Sequence, residues 1–421
     1  MKALDEKWFA KYKAISKQAA GVTSGIFAGS NKRERRHFLE SEVENPEFKY
    51  KDLSNKIAAR SQFEDLLVAI EKEEENPVVK KIYTKKIKDK LTVIDMAEAT
   101  QARADQQFYQ ASVRMYGAPK KEYFAYIAMR IQEQCITCNS PIKNAAAKRL
   151  RKLFSKIDIS GAVITVDVLP EPVVSVDRTP LTAMEVKKVF VEILKKYDID
   201  DWKVDIDSTN KRKRFSVNTH KKVVSVPNDA YLKLRQEPLT RLKAEAVAEH
   251  EIGVHVLRSK HGNDSNLKLL GIGLSKYLRG EEGLACYMQQ QVEGGKEFYG
   301  FERYMAASLA VGMDGTPRDF RSVYIIMHDY YTVVASEGED FDQRVESAAW
   351  DTCVRIFRGT TGQSKGCIFT KDIVYLEGNI GIWKLLIDRP HVFESLFVGK
   401  FDPTSDSQVK ALQALSILPE W

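Results

Sequence analysis

The stretch LTRLKAEAVAEHEIGVHVLR, residues 239–258, follows Pro238 and predicts one long helix. Inside it lies His250-Glu251-Ile252-Gly253-Val254-His255, an HExxxH pattern in a chain with seven histidines. Two neutral imidazoles beside a carboxylate are the parts that hold zinc and take a proton from water. The common zinc-peptidase motif spaces its histidines i and i+4, on one helix face. Here the spacing is i and i+5, which on a regular α-helix sets the two rings roughly 140° apart. A π-type turn that absorbs one extra residue would bring them together, and such turns favour functional sites. Gly253, between the histidines, would ease that distortion. A π segment is therefore expected across 249–256, and a regular α-helix there would argue against a shared metal.

A third ligand would complete the site. Downstream, Glu281-Glu282-Gly283-Leu284-Ala285 follows Gly280 and is expected to begin another helix. Catalytic zinc sites of this kind take two histidines and one glutamate and leave a position open. Glu281 and Glu282 both qualify by spacing, although acids also favour a helix's first turn for its dipole.

Outward from this centre, the pattern is α+β: mostly helical, with a small, mainly antiparallel sheet preceding the zinc helix. Helical spacing recurs at 64–74, 86–109, 121–131 and 182–197. The β-branched run AVITVDVL at 162–169 reads as a strand, as does 203–207. RFSVN at 214–218 and VVSV at 223–226 read as a hairpin closed by Pro227. From 267 to 384 the chain is again mostly helical, with breaks expected at Gly271, Gly280, 312–317 and 359–366. Two regions follow: a helical N-terminal region, 1–155, and a catalytic region, 156–421.

Hydrophobic content of 43% and charged content of 29% permit a sizeable core and exclude wholesale disorder. The +7 net charge and pI near 8.9 fit a lysine-rich surface or an acidic partner; no nucleic-acid motif accompanies them, so an acidic peptide is the better partner. The charged start (Lys2, Asp5, Glu6, Lys7) lacks a signal peptide's apolar run, and no stretch is long enough to span a membrane. A soluble, cytoplasmic protein is expected, with no nucleic-acid or membrane partner. Five cysteines suggest no disulfide framework. The lone Cys135-x-x-Cys138 pair reads as structural thiols. His37, His220, His261, His328 and His391 read as structural or surface residues.

HEIGVH followed by EEGLA resembles the bacterial family named for its QEGLA motif, labelled flavohaemoglobin-expression-modulating. It is also similar to the animal microtubule-associated tyrosine carboxypeptidases. MYGAP at 115–119, HVLR at 255–258, FRG at 357–359 and FTKDIVYL at 369–376 match in the same order. These pieces span about two thirds of the chain. The resemblance implies a zinc metallopeptidase with one Zn2+ per chain held by His250, His255 and Glu282, with Glu281 in the glutamine slot and Glu251 as catalytic acid/base. For the animal members it implies removal of a C-terminal tyrosine from the acidic tail of α-tubulin.

A carboxypeptidase acting on a peptide or protein C-terminal tail also needs a fixed cation for the terminal carboxylate. Arg258, Arg358, Lys222 and Lys371 are the candidates, and Tyr375 is a candidate donor to the developing oxyanion. Asp264 or Asp372 could orient an imidazole. Two other readings compete: a zinc endopeptidase or aminopeptidase with the same core chemistry, and a non-catalytic regulatory or binding protein that keeps the fold. Retention of Glu251 favours catalysis.

Overall fold

The computed structural model describes residues 3–19, 32–138, 140–162, 168–174, 177–208, 214–233 and 237–421. Most of the strand expected at 162–169 thus lies outside the described residues. Helices dominate, and one three-stranded sheet sits against the helix that carries the paired histidines. Its strands are β1 (Lys203–Ile206), β2 (Ser216–Asn218) and β3 (Val223–Val226), in the order β1-β3-β2. The β2–β3 hairpin is antiparallel as expected, while β1 joins β3 in parallel, so the sheet is mixed.

Local chemistry explains the entry to this layer. Thr182 and Glu185 form a reciprocal capping box at the start of the helix Ala183–Lys196. That helix buries Val186, Val189, Phe190 and Leu194 against Val204, Val224 and Val226 of the sheet and Ala244, Ala248 and Ile252 of the histidine helix. Phe215 stacks on Phe190 with ring centroids 5.1 Å apart, which ties the hairpin to the helix.

The histidine helix runs without interruption as Arg241–Ala248 (α), Glu249–Val256 (π) and Leu257–Asp264 (α). Thr240 caps its start. The second site helix is Leu278–Glu293 and the third is Ile373–Asp388. Gly280 does not break the second helix; it lies in its first turn. A Cβ there would sit 2.6 Å from Asp402 Cα, so the glycine serves close packing. The pattern read as one helix over 86–109 is two, Pro77–Gln101 and Asp105–Tyr116, turned at Arg103, whose φ is +54°.

The first 155 residues share cores with the rest. Trp8, Tyr12, Phe63 and Tyr83 pack with Leu269, Leu270, Phe401 and Leu412. Phe124, Tyr126 and Phe154 pack with Phe301, Phe320 and Trp350. Asp5 ties the start of the chain to its middle, accepting from the Tyr83 hydroxyl and from the amides of Lys268 and Leu269. No helix among the described residues is long and apolar enough to cross a membrane.

Candidate metal centre

The i, i+5 spacing is met by π geometry over the whole of Glu249–Val256. It brings the His250 and His255 rings to 5.1 Å between centroids, at 80° to one another. Gly253 has a second role in the turn. A Cβ there would lie 2.6 Å from Glu249 Oε2, which accepts from the Tyr197 hydroxyl, while Lys196 pairs with the other oxygen at 2.7 Å.

The third member arrives by a helix crossing. A Cβ on Gly283 would fall inside the carbonyl of Gly378, and one on Gly378 would fall on the carbonyl oxygen of Arg279. The second and third site helices therefore touch backbone to backbone, and Glu282 is held beside the histidines. Its Oε2 lies 3.9 Å from His250 Nε2 and 3.8 Å from His255 Nε2. These three ligand atoms all lie within 4.8 Å of one another. They are too far apart to hydrogen-bond, and tetrahedral ligands about 2.1 Å from zinc would stand roughly 3.4 Å from each other. Two imidazole nitrogens and one carboxylate oxygen, facing a gap of that size, could hold a metal ion.

Glu281 takes part without facing the gap. Its Oε1 is 2.9 Å from His255 Nδ1 and 2.8 Å from Lys400 Nζ, and its Oε2 accepts from Arg258 Nη1 at 2.7 Å. Burial alone would raise its carboxyl, but Lys400 and Arg258, with His255, hold it well below the usual glutamate range. An ionised Glu281 only accepts, so His255 donates from Nδ1 and turns Nε2 to the gap; burial lowers its pKa, but the bond to Glu281, with Glu282 and Glu251, outweighs this and raises it. Burial, followed by the neighbouring His255, pushes His250 down to about 3, which keeps its ring neutral. Burial also raises Glu251, with His255 opposing and Glu282 adding to the rise.

Among the described residues, His250, His255 and Glu282 form the one group of three arranged for a metal. The other expected site residues fall in several places. Arg258 is fully buried and spent on Glu281 and the Phe401 carbonyl, so it supports the site from behind and is out of reach of a substrate. Lys222 sits at the hairpin turn, exposed and paired with Asp201. Arg358 is pinned to Asp372 at 2.9 Å and lies over the Phe369 ring. Asp372 takes a bidentate pair from Arg355 as well, at 2.6 and 2.9 Å. Asp372 therefore orients arginines, and Asp264 faces Lys260 at the surface. The acid that orients an imidazole is Glu281. Tyr375 is in the first turn of the third site helix, three residues before Gly378, with Arg303 over its ring at 5.2 Å. Burial and then Glu282 raise its hydroxyl, so it stays a donor.

Lys371 and Val374 belong to the wall of a cavity of about 1290 Å³ that also reaches Tyr277. The wall holds ten lysines and two arginines against Asp89 and Asp402, so it is strongly basic. The candidate ligand atoms themselves are outside this wall; Arg279 and Leu278 are its members nearest Glu282 in the chain.

Compared with known families, residues 35–420 match the microtubule-associated tyrosine carboxypeptidases. The chain belongs to that family. The match covers all three site helices, the arginines around Asp372 and most of the basic cavity, so the paired histidines and the glutamate lie within a carboxypeptidase family's own span. No curated protein and no solved structure matches the chain.

Proposed function

We propose that this protein is a zinc-dependent carboxypeptidase that removes a C-terminal residue of tyrosine type from a peptide or protein tail. One observation carries the reading: three ligand atoms, two from a π-helical turn and one from a crossing helix, face a common gap beside Glu251. His250, His255 and Glu282 would hold one zinc ion per chain. Bound zinc would polarise the scissile carbonyl and acidify water.

The chain's own groups do the rest. Glu251, its pKa raised by burial, takes a proton from the attacking water on its carboxylate and returns it to the leaving amine. Glu281 keeps His255 in the tautomer that offers Nε2. Tyr375 is protonated and stands ready to donate to the developing oxyanion. Residues 156–421 form the catalytic region, and 1–155 serve as packing that also supplies part of the basic cavity.

The cavity's surplus of cations favours an acidic tail, which would be drawn along it with its last residue toward the triad. The free thiols fit a cytoplasmic setting. The test is release of free tyrosine from a glutamate-rich peptide ending in tyrosine. Wild-type protein loaded with zinc should release it, whereas Glu251→Gln and chelator-treated protein should not. Internal cleavage of the same peptide, with no free tyrosine, would favour an endopeptidase.

A further inference from the structure

Arg214, Arg303, Arg355 and Arg358 gather near Asp372, the acid among the described residues that forms ion pairs within this cluster. Arg355 and Arg358 are taken up by Asp372. Arg303 is different. It projects from the helix Phe301–Ala310, its guanidinium lies 5.2 Å over the Tyr375 ring, and it has no ion-pair partner among the described residues. Its place is enforced by Gly300. At φ +88° and with a would-be Cβ 2.6 Å from Tyr375 Cβ, Gly300 lets that helix start directly against the third site helix. The Gly283–Gly378 crossing then sets the turn bearing Tyr375 next to Glu282.

Arg214 lies two residues before β2 and likewise has no ion-pair partner among the described residues. It is exposed to solvent, and its charged neighbours are Arg355 and Arg303 together with Asp351 and Asp372. Arg303 and Arg214 are thus the arginines of this cluster that no acid among the described residues holds in an ion pair, and a guanidinium so placed can take an external carboxylate.

We propose that Arg303 and Arg214 together bind the free α-carboxylate of the substrate's last residue, with Arg355 and Arg358 held back from it by Asp372. The assignment rests on the carboxypeptidase reading and adds the determinant that makes the enzyme an exopeptidase. A guanidinium fork presents two parallel donors to a carboxylate, which an amide or a continuing chain cannot match.

Binding tests the assignment separately from turnover. Zinc-loaded Glu251→Gln protein is titrated calorimetrically with a glutamate-rich peptide ending in tyrosine, as the free acid and as the C-terminal amide. The free acid should bind about tenfold tighter than the amide. Arg303→Gln should erase that preference while leaving zinc content and amide binding as they were. Arg214→Gln, at a solvent-accessible position, provides the same readout should Arg303→Gln fold poorly. Equal binding of acid and amide, no binding of either, or a preference that survives in a folded variant would overturn the assignment. The carboxypeptidase reading is judged apart, by tyrosine release from the wild type. Discrimination without release would leave the anchor standing and remove the enzyme.

Discussion

Glu281 shows how much of the proposed metal centre would lie behind its ligands. The carboxylate reads His255 on one side and is clamped by Lys400 and Arg258 on the other, all of them buried or nearly so. Glu281→Gln should lower zinc affinity about 10- to 100-fold, measured by chelator competition, because the imidazole loses its fixed tautomer. An unchanged affinity would mean that Glu281 serves only to neutralise Arg258 and Lys400. Asp372 makes the corresponding case for the arginines. Burial raises its carboxyl, but Arg358 and Arg355 outweigh this and hold it far below the ordinary aspartate value. A depressed acid stabilises the fold fully above its unfolded value, near 3.9, and loses that contribution as pH falls toward the folded value. Asp372→Asn should therefore cost about 3 kcal/mol at pH 7. Its gap from wild type in denaturant unfolding should narrow below about pH 4. The two histidines, Glu251 and the EE pair were legible as residues. The role of Glu281 was not, because it depends on partners 26 and 119 positions away. Arg303 and Arg214 carry no local signal at all.

At the scale of elements, the decisive features are a π turn and a glycine crossing. The π turn could be foreseen because i, i+5 spacing and a shared metal are incompatible on a regular helix. The glycines were harder. Gly280 reads as a helix break, yet it lies inside the helix because Asp402 packs against it. A glycine signals either an unusual φ or a close neighbour, and sequence alone does not say which. Conversely, the turn at Arg103 has neither glycine nor proline to announce it. Gly283 is the sharpest test of the crossing. Gly283→Ala should destabilise the protein by at least about 1–3 kcal/mol in denaturant unfolding, since the obstruction is backbone and cannot swing away. Because the helix must shift, zinc affinity should fall with it. A stable variant with full affinity would mean that the two helices are free to separate without disturbing Glu282.

Across the whole molecule, helices from the first 155 residues complete cores built around the later ones. Local periodicity revealed that these helices exist, but their partners lie hundreds of residues away, so their packing was not legible. The same helices bring Lys81, Lys85, Lys88 and Arg114 to the wall of the cavity that Lys371 shares. The chain's net charge of +7 hinted at an acidic partner without locating the charge. The cavity gives that surplus a place, and a consequence: the KM for an acidic-tailed peptide should rise steeply as salt increases, while that for a neutral peptide of equal length stays nearly flat. Parallel salt dependence for the two peptides would remove the cavity from substrate recognition.

The metal is the claim on which the rest depends. Zinc content of the purified protein should be measured by plasma mass spectrometry, with wild type beside His255→Ala and Glu282→Ala. The account predicts about one zinc per wild-type chain and loss of it in both variants. A wild type that takes up no zinc even after reconstitution, or variants that keep it, would contradict the three-ligand site and the peptidase chemistry built upon it.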